Sequence, residues 1–194
     1  LDNVNVVKLL SRVIMDLAEG EIKQNLNRYD SAQTFSKYIN KSYCKTASLI
    51  ANSSKAAGVL SDLSNEKLEM LYEFGKNIGL AFQVVDDILD FTGNDKQLGK
   101  PAVSDLASGY LTAPVLYALE ENKNLSVLIN RELAQEDDLS SALEIIMNSD
   151  AIERSRKLAE KFATLSKDAI AWLPESDSKI ALLSLPDFVL SRLY

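Results

Sequence analysis

The sequence lacks histidine entirely and contains one cysteine among its 194 residues. Without histidine, a Ser-His-Asp triad, a Cys-His dyad and imidazole metal ligands are excluded. Because Cys44 stands alone, an internal disulfide and a multi-cysteine zinc site are excluded too. A single cysteine is compatible with a reducing compartment. Carboxylates, lysines, hydroxyls and tyrosines therefore remain as the groups that could carry chemistry.

The sequence also lacks long apolar runs and an excess of positive charge. No apolar stretch reaches the roughly 18–20 residues that span a bilayer, so we expect no transmembrane segment, and no targeting signal is visible. The formal net charge is −7, which excludes a broad basic surface for nucleic acid. Any site for a phosphate group must therefore be local.

The pattern that is present is helical. Apolar residues make up 46% of the chain and recur every three or four positions, whereas the alternating pattern of strands is hard to find. The sequence therefore predicts an all-α protein with one domain. We predict helices over residues 3–25, 34–60, 64–91, 112–121, 124–134, 139–148 and 151–173, and a short terminal helix opened by Pro186.

The stretch GLAFQVVDDILDFTG, residues 79–93, places polar side chains in an otherwise apolar helix. At 100° per residue, Gln83, Asp86, Asp87 and Asp90 fall on one face, and Gly79 precedes them by one turn. The valines, isoleucine and leucine between them fall on the opposite side, which would face the core. One interpretation is an ordinary amphipathic helix with a solvated acidic face.

Three observations favour a metal site over a solvated face. Aspartate is a poorer helix former than glutamate, so a surface helix gains nothing from three of them. Asp86 and Asp90 repel each other at a spacing of four residues, and no lysine or arginine on this face relieves them. Mg²⁺ typically takes one or two carboxylates together with water and phosphate oxygens. The stretch therefore predicts a diphosphate bridged by Mg²⁺, with Mn²⁺ as the alternative ion.

Two lysines stand where they could contact a diphosphate. Lys45 precedes the hydroxyl of Thr46, and Lys100 follows a glycine just after the aspartate-rich helix. Either lysine taken alone could be an ordinary solvated side chain. Together with the acidic face, they favour a diphosphate site.

These residues resemble the trans-prenyltransferases, the all-helical isoprenyl diphosphate synthases. The second aspartate-rich motif of that family, G-x-x-x-Q-x-x-D-D-x-x-D, is matched in full by residues 79–90. GEIKQ at residues 20–24 resembles the G-E-x-x-Q element of the family, and KTA at residues 45–47 resembles its K-T motif. Three further segments follow in the order of the family: residues 99–100, 104–106 and 109–114.

The resemblance implies a role for each matched residue. Asp86 would be the leading metal ligand, and Asp87 and Asp90 would assist directly or through water. The catalytic set would be Lys45, Gln83 and Asp86. Contacts to the allylic diphosphate would come from Lys45, Thr46, Gln83 and Lys100.

Other positions are implied to shape the site. Gln24 and Phe82 would line the pocket near the reacting carbons. Glu21 would either brace neighbouring helices or act in the site, since buried acids usually have a satisfied partner. Tyr110 stands where many short-chain members carry lysine, a departure that fits the long-chain subgroup.

The resemblance also implies an isoprenoid-synthase-like helical bundle with a central cavity. Residues 1–194 would be the C-terminal portion of a single prenyl-synthase domain, because the first aspartate-rich motif of the family and its arginines do not occur in this sequence. We therefore expect a bundle that is incomplete at the N-terminus, and a chain that is inactive in isolation.

The implied reaction condenses isopentenyl diphosphate with an allylic prenyl diphosphate to make a long-chain all-trans polyprenyl diphosphate. In its residue-by-residue sequence, the chain is most similar to solanesyl-type synthases of cyanobacteria and plastids. The implied partners are the two substrates and a second copy in a homodimer, without nucleic acid, in the cytoplasm or the plastid stroma. Two alternatives remain open: a non-catalytic helical subunit that modulates an active synthase, and a terpene cyclase, although cyclases usually carry an N/S/E-containing second motif.

Overall fold

A computed structural model describes residues 2–93 and 103–194, and over these two ranges the chain forms helices and no strand. The all-α prediction is confirmed. The α-helices are α1 (Val4–Leu26), α2 (Phe35–Ser42), α3 (Ser48–Leu60), α4 (Asn65–Thr92), α5 (Ser104–Ala107), α6 (Ala113–Glu121), α7 (Lys123–Asn130), α8 (Asp138–Met147), α9 (Ala151–Ala169) and α10 (Asp177–Ser191).

Several helices begin at a side chain that caps their first free amides. The Asn3 side chain accepts hydrogen bonds from the amides of Asn5 and Val6, and the Thr34 hydroxyl accepts one from Lys37. Ser64 holds the N-cap position of α4 as predicted, although its side chain makes no capping hydrogen bond. Local sequence signals therefore set the starts of α1 and α2.

The long helix α4 is the centre of the packing. It packs against α9 on one side and against α3 on another. A side chain at Gly79 would force the packing to shift, because a Cβ there would lie 2.6 Å from the Cα of Ala47. This close approach brings the polar face of α4 directly against the segment that carries Lys45.

The predicted helix over residues 34–60 is interrupted by a π-helical turn at Tyr43–Ala47. The amide of Ser48 bonds to the carbonyl of Tyr43, five residues back, so the turn holds one residue more than an α-helix. Lys45 and Thr46 both lie in this turn. The π-helical turn therefore sets the direction in which both side chains leave the helix.

Three helix boundaries differ from the predictions by more than one residue. One of them is the end of α9, which lies at Ala169 instead of residue 173. Pro186 does not open a terminal helix: it lies inside α10, which begins after Ser176, whose side chain accepts from the amide of Lys179. The proline leaves one helical hydrogen bond unmade and is tolerated inside the helix. The predicted helix over 124–134 stops at Asn130, because Glu132 and Leu133 adopt left-handed φ angles of 61° and 53°.

The outer face of α1 is apolar and exposed. Val6, Asp16 and Gly20 point inward, whereas the exposed fractions of Val4 and Ile14 are 67% and 71%. A helix that is apolar on two faces usually has a partner on each of them. Of the helices described, none is long and apolar enough to cross a membrane.

Candidate diphosphate and metal site

A polar cavity of about 190 Å³ lies between α1, α2, the π-helical turn and α4. Its walls include Gln24 from α1, Lys41 from α2, Lys45 from the π-helical turn, and Gln83 and Asp87 from α4. All of these residues except Lys41 were predicted to belong to the site from the sequence. The packing thus gathers groups from three separate motifs around one space.

Lys45 is held by two residues of the GEIKQ stretch. Its ammonium lies 2.8 Å from a carboxylate oxygen of Glu21 and donates to the side-chain oxygen of Gln24 at 2.7 Å. Gly20 allows this contact, because a Cβ there would lie 2.7 Å from Cγ of Lys45. The GEIKQ and KTA stretches therefore form a single unit, in which Glu21 is the counter-ion of Lys45.

A chain of hydrogen bonds runs from the π-helical turn to the buried aspartate. The hydroxyl of Thr46 donates to the side-chain oxygen of Gln83 at 2.6 Å, and the amide nitrogen of Gln83 donates to Asp87 at 2.9 Å. The hydroxyl of Tyr38 donates to the other oxygen of Asp87 at 2.6 Å. Both oxygens of Asp87 are therefore fixed in direction, and Tyr38 is a member of the site that sequence reasoning missed.

Asp87 is almost completely buried, with an exposed fraction of 2%. Burial raises the pKa of Asp87 to about 6, because the charged form loses its hydration. The positive charge of Lys41 and the hydrogen bonds from Tyr38 and Gln83 act in the opposite direction and limit this rise. Part of the Asp87 population is therefore protonated just below neutral pH.

The other two aspartates have different surroundings. Asp90 is buried, and its oxygens accept hydrogen bonds from the Ser104 hydroxyl at 3.1 Å and the Asp105 amide at 3.2 Å, at the start of α5. The Asp86 side chain is 38% exposed and lies 2.7 Å from the guanidinium of Arg192. Although α4 itself carries no cation on this face, the end of α10 brings one to Asp86.

The donor set fits a hydrated divalent cation. Carboxylate oxygens are suitable ligands for Mg²⁺, and the exposed Asp86 can be reached by an ion that keeps part of its water shell. The three aspartates do not converge on a point. Over the residues the structure describes, the acidic and sulfur side chains that do converge are Asp16, Glu19 and Cys44. An ion at the aspartates would therefore need phosphate or water oxygens to complete its shell.

The acids of that converging group already have basic partners. Asp16 pairs with Arg12 at 2.8 Å, and Glu19 pairs with Lys23 at 2.6 Å. These ion pairs account for the charge of both carboxylates without a metal ion.

The remaining predicted residues are separated from the cavity or lie outside the described ranges. Phe82 is not among the cavity walls: its ring lies 4.7 Å below the guanidinium of Arg192. Lys100 lies outside the described residues. Lys41 lines the cavity but was not predicted, although its spacing of four residues from Lys45 could have indicated a shared face.

Comparisons with known proteins identify relatives of this chain. The family model described as polyprenyl synthetase matches residues 1–146. A prenyl transferase of Synechocystis sp. is 55% identical over 194 residues, which are 100% of this chain and 60% of that protein. The chloroplastic solanesyl diphosphate synthase 2 of Arabidopsis thaliana is 45% identical over 193 residues, which are 100% of this chain and 46% of that protein.

Two solved structures match the fold over all of the chain. Heptaprenyl diphosphate synthase from Staphylococcus aureus has a TM-score of 0.93 at 32% identity, covering 100% of this chain and 62% of that one. A polyprenyl synthase from Caulobacter crescentus, complexed with calcium and isoprenyl diphosphate, has a TM-score of 0.90 at 33% identity. The match covers 100% of this chain and 60% of that one. The chain thus spans less than two thirds of the length of these relatives.

Proposed function

This chain belongs to the polyprenyl synthetase family, and from that membership we propose that it acts in the condensation of isopentenyl diphosphate with an allylic prenyl diphosphate. The product would be a long-chain all-trans polyprenyl diphosphate of the solanesyl type, as the names of relatives from rice and Arabidopsis suggest. The observation that carries the proposal is that Lys45 from one motif and Gln83 and Asp87 from another line one polar cavity.

The cavity residues would bind the diphosphate of the allylic substrate. In the reaction, the bond from the allylic carbon to oxygen breaks with its electron pair remaining on the diphosphate. The double bond of isopentenyl diphosphate supplies the electrons of the new carbon–carbon bond, and a proton would then pass from the condensed product to the departed diphosphate. Lys45 would stabilise the charge of the leaving group by charge-assisted hydrogen bonds, while Thr46 and Gln83 orient its oxygens.

The aspartates of α4 would hold a divalent cation, which we propose to be Mg²⁺ with Mn²⁺ as the alternative. Asp86 would be the first ligand because it is the exposed member of the three, and Asp87 and Asp90 would assist directly or through water. The bound ion would neutralise diphosphate charge. The calcium and isoprenyl diphosphate in the Caulobacter structure support a site for a divalent cation and a diphosphate in this family.

We further propose that residues 1–194 form one portion of a single prenyl-synthase helical domain and that the chain associates as a homodimer. The chain matches 60% of the Synechocystis relative, which supports the proposal that it is one portion of a longer domain. The exposed apolar face of α1 supports the proposed homodimer. The chloroplastic relatives support the plastid stroma as a compartment, alongside the cytoplasm.

The test combines binding with turnover. The chain is titrated with inorganic pyrophosphate in the presence and absence of Mg²⁺, and it is then incubated with Mg²⁺, labelled isopentenyl diphosphate and geranylgeranyl diphosphate. We expect Mg²⁺-dependent binding that Asp86→Asn abolishes. Asp62→Asn is the matched control, because Asp62 is exposed and its φ of 52° suits asparagine.

The turnover results separate the candidate functions. Elongated product, either from the chain alone or after addition of a chain that carries the first aspartate-rich motif, supports the proposal. Elongation that survives Asp86→Asn would favour the non-catalytic subunit instead. Absence of both pyrophosphate binding and elongation would contradict the proposal.

A further inference from the structure

Lys41 lines the proposed diphosphate cavity and, among the residues that the structure describes, forms no ion pair. It lies in the last turn of α2, and its side chain lines the cavity beside Lys45. Its ammonium lies 5.3 Å from the centre of the Tyr38 ring, a cation–π contact. Over residues 2–93 and 103–194, this ammonium has no ion pair and no hydrogen-bond acceptor.

The neighbouring lysine shows what a satisfied ammonium looks like in the same cavity. Lys45 has oxygen partners in Glu21 and Gln24. An ammonium carries three N–H donors, and a half-buried one without acceptors loses hydration that nothing replaces. The ammonium N–H groups of Lys41 would therefore be satisfied by a ligand in the cavity that offers hydrogen-bond acceptors.

The charges around Lys41 are consistent with an anionic acceptor. Burial lowers the pKa of Lys41, and the positive charge of Lys45 acts in the same direction. The negative charges of Asp87 and Asp105 act in the opposite direction. A diphosphate group between the two lysines would add negative charge to this balance and would offer several acceptor oxygens.

From this geometry we infer that Lys41 is a further diphosphate-binding residue, which donates to the same diphosphate group that Lys45 contacts. The inference rests on the proposed function and adds to it a residue that none of the matched motifs contains. The two ammoniums would bind the group from two successive segments, α2 and the π-helical turn.

The first test measures the affinity for inorganic pyrophosphate with Mg²⁺ by titration calorimetry. Lys41→Met keeps the length of the side chain and removes its charge, so we expect affinity about ten-fold weaker, as for loss of a charged hydrogen bond. Lys41→Arg keeps the charge and should stay within about three-fold of the parent chain. The matched control is Lys37→Met, one turn earlier on α2, where the lysine is 54% exposed and 3.5 Å from Asp30.

The results distinguish this inference from the proposed function. If Lys45→Met weakens binding while Lys41→Met behaves like Lys37→Met, the inference is wrong and the diphosphate site stands. If the parent chain does not bind pyrophosphate with Mg²⁺, both the proposed diphosphate site and the inference about Lys41 are wrong.

A second measurement needs no variant and remains decisive if Lys41→Met fails to fold. The chain is labelled briefly with acetic anhydride, and acetylation of each lysine is followed by mass spectrometry with and without Mg²⁺ and pyrophosphate. We expect pyrophosphate to slow the labelling of Lys41 several-fold and to leave Lys37 unchanged. Equal labelling of Lys41 under both conditions would overturn the inference.

Discussion

At the scale of single residues, the three aspartates of α4 are chemically distinct. Asp86 is exposed beside Arg192, Asp87 is buried beneath Tyr38, and Asp90 binds the start of α5. The spacing of the three aspartates places them on one face of the helix. The charge of each carboxyl group and its exposure to solvent depend instead on the residues packed around it.

The burial of Asp87 predicts that the stability of the folded chain depends on pH. Its pKa rises from 3.8 to about 6 in the folded chain, so the folded state holds the proton more tightly than the unfolded state. This stabilisation is present below the unfolded pKa and is lost as the pH rises through about 6. We expect the free energy of unfolding to lose up to roughly 3 kcal/mol through this group between about pH 4 and about pH 7.

The check is urea unfolding of the parent chain and of Asp87→Asn across that range. The amide that replaces the carboxyl group in this variant does not titrate, so the stability of the parent relative to the variant should fall as the pH rises. Parallel curves for the two proteins would show that Asp87 is not the group responsible.

The contact between Arg192 and Asp86 predicts competition with the metal ion. Both side chains are about one third exposed, at 33% and 38%, so the ion pair contributes at most about 1 kcal/mol. Arg192→Gln should therefore strengthen the binding of Mg²⁺ in the presence of pyrophosphate by up to about five-fold, measured by calorimetry. Arg156→Gln is the control, since Arg156 stacks on Tyr194 at 5.4 Å. Weaker binding in Arg192→Gln would indicate that Arg192 contacts the diphosphate itself.

At the scale of helices, the site depends on how closely α4 approaches the π-helical turn. A Cβ at Gly79 would meet the backbone of Ala47 at 2.6 Å, and backbone cannot rotate away. We expect Gly79→Ala to destabilise the chain by about 1–3 kcal/mol and to weaken pyrophosphate binding.

Gly58→Ala is the matched change in α3. Its Cβ would also approach to 2.7 Å, but the atoms it meets are the ends of the Leu68 and Leu71 side chains, which can move. Thermal unfolding should show a smaller loss for Gly58→Ala, with pyrophosphate binding unchanged. Equal losses in the two variants would rule out the contact with Ala47 as the cause.

The helices themselves were largely predictable, and the packing between them was not. Apolar periodicity and caps placed the start of α4 at Ser64 and the end of α1 near Leu26. The π-helical turn has no sequence signal, because it depends on the packing of α1 and α4 on either side of it. Arg192 and Tyr38 were missed for the same reason: each lies far along the chain from the aspartate that it contacts.

At the scale of the whole molecule, the outer face of α1 predicts association. Ile14 is 71% exposed at the middle of this apolar face. We expect Ile14→Glu to shift the chain toward the monomer in sedimentation experiments over a range of concentrations, because burial of a carboxylate in an interface is costly. Ile180→Glu is the control, since Ile180 is 63% exposed on α10. A parent chain that sediments as a monomer at every concentration would contradict the proposed dimer.

The position of Arg192 also affects how the protein should be handled. It lies two residues before Tyr194, and it touches the most accessible of the proposed metal ligands. A polyhistidine purification tag fused after Tyr194 would bring imidazoles, which bind transition metals, close to Asp86 in a chain that has no histidine of its own. Titrations with Mn²⁺ on such a fusion would report the tag as well as the protein, so any tag after Tyr194 should be removed before metal affinities are measured.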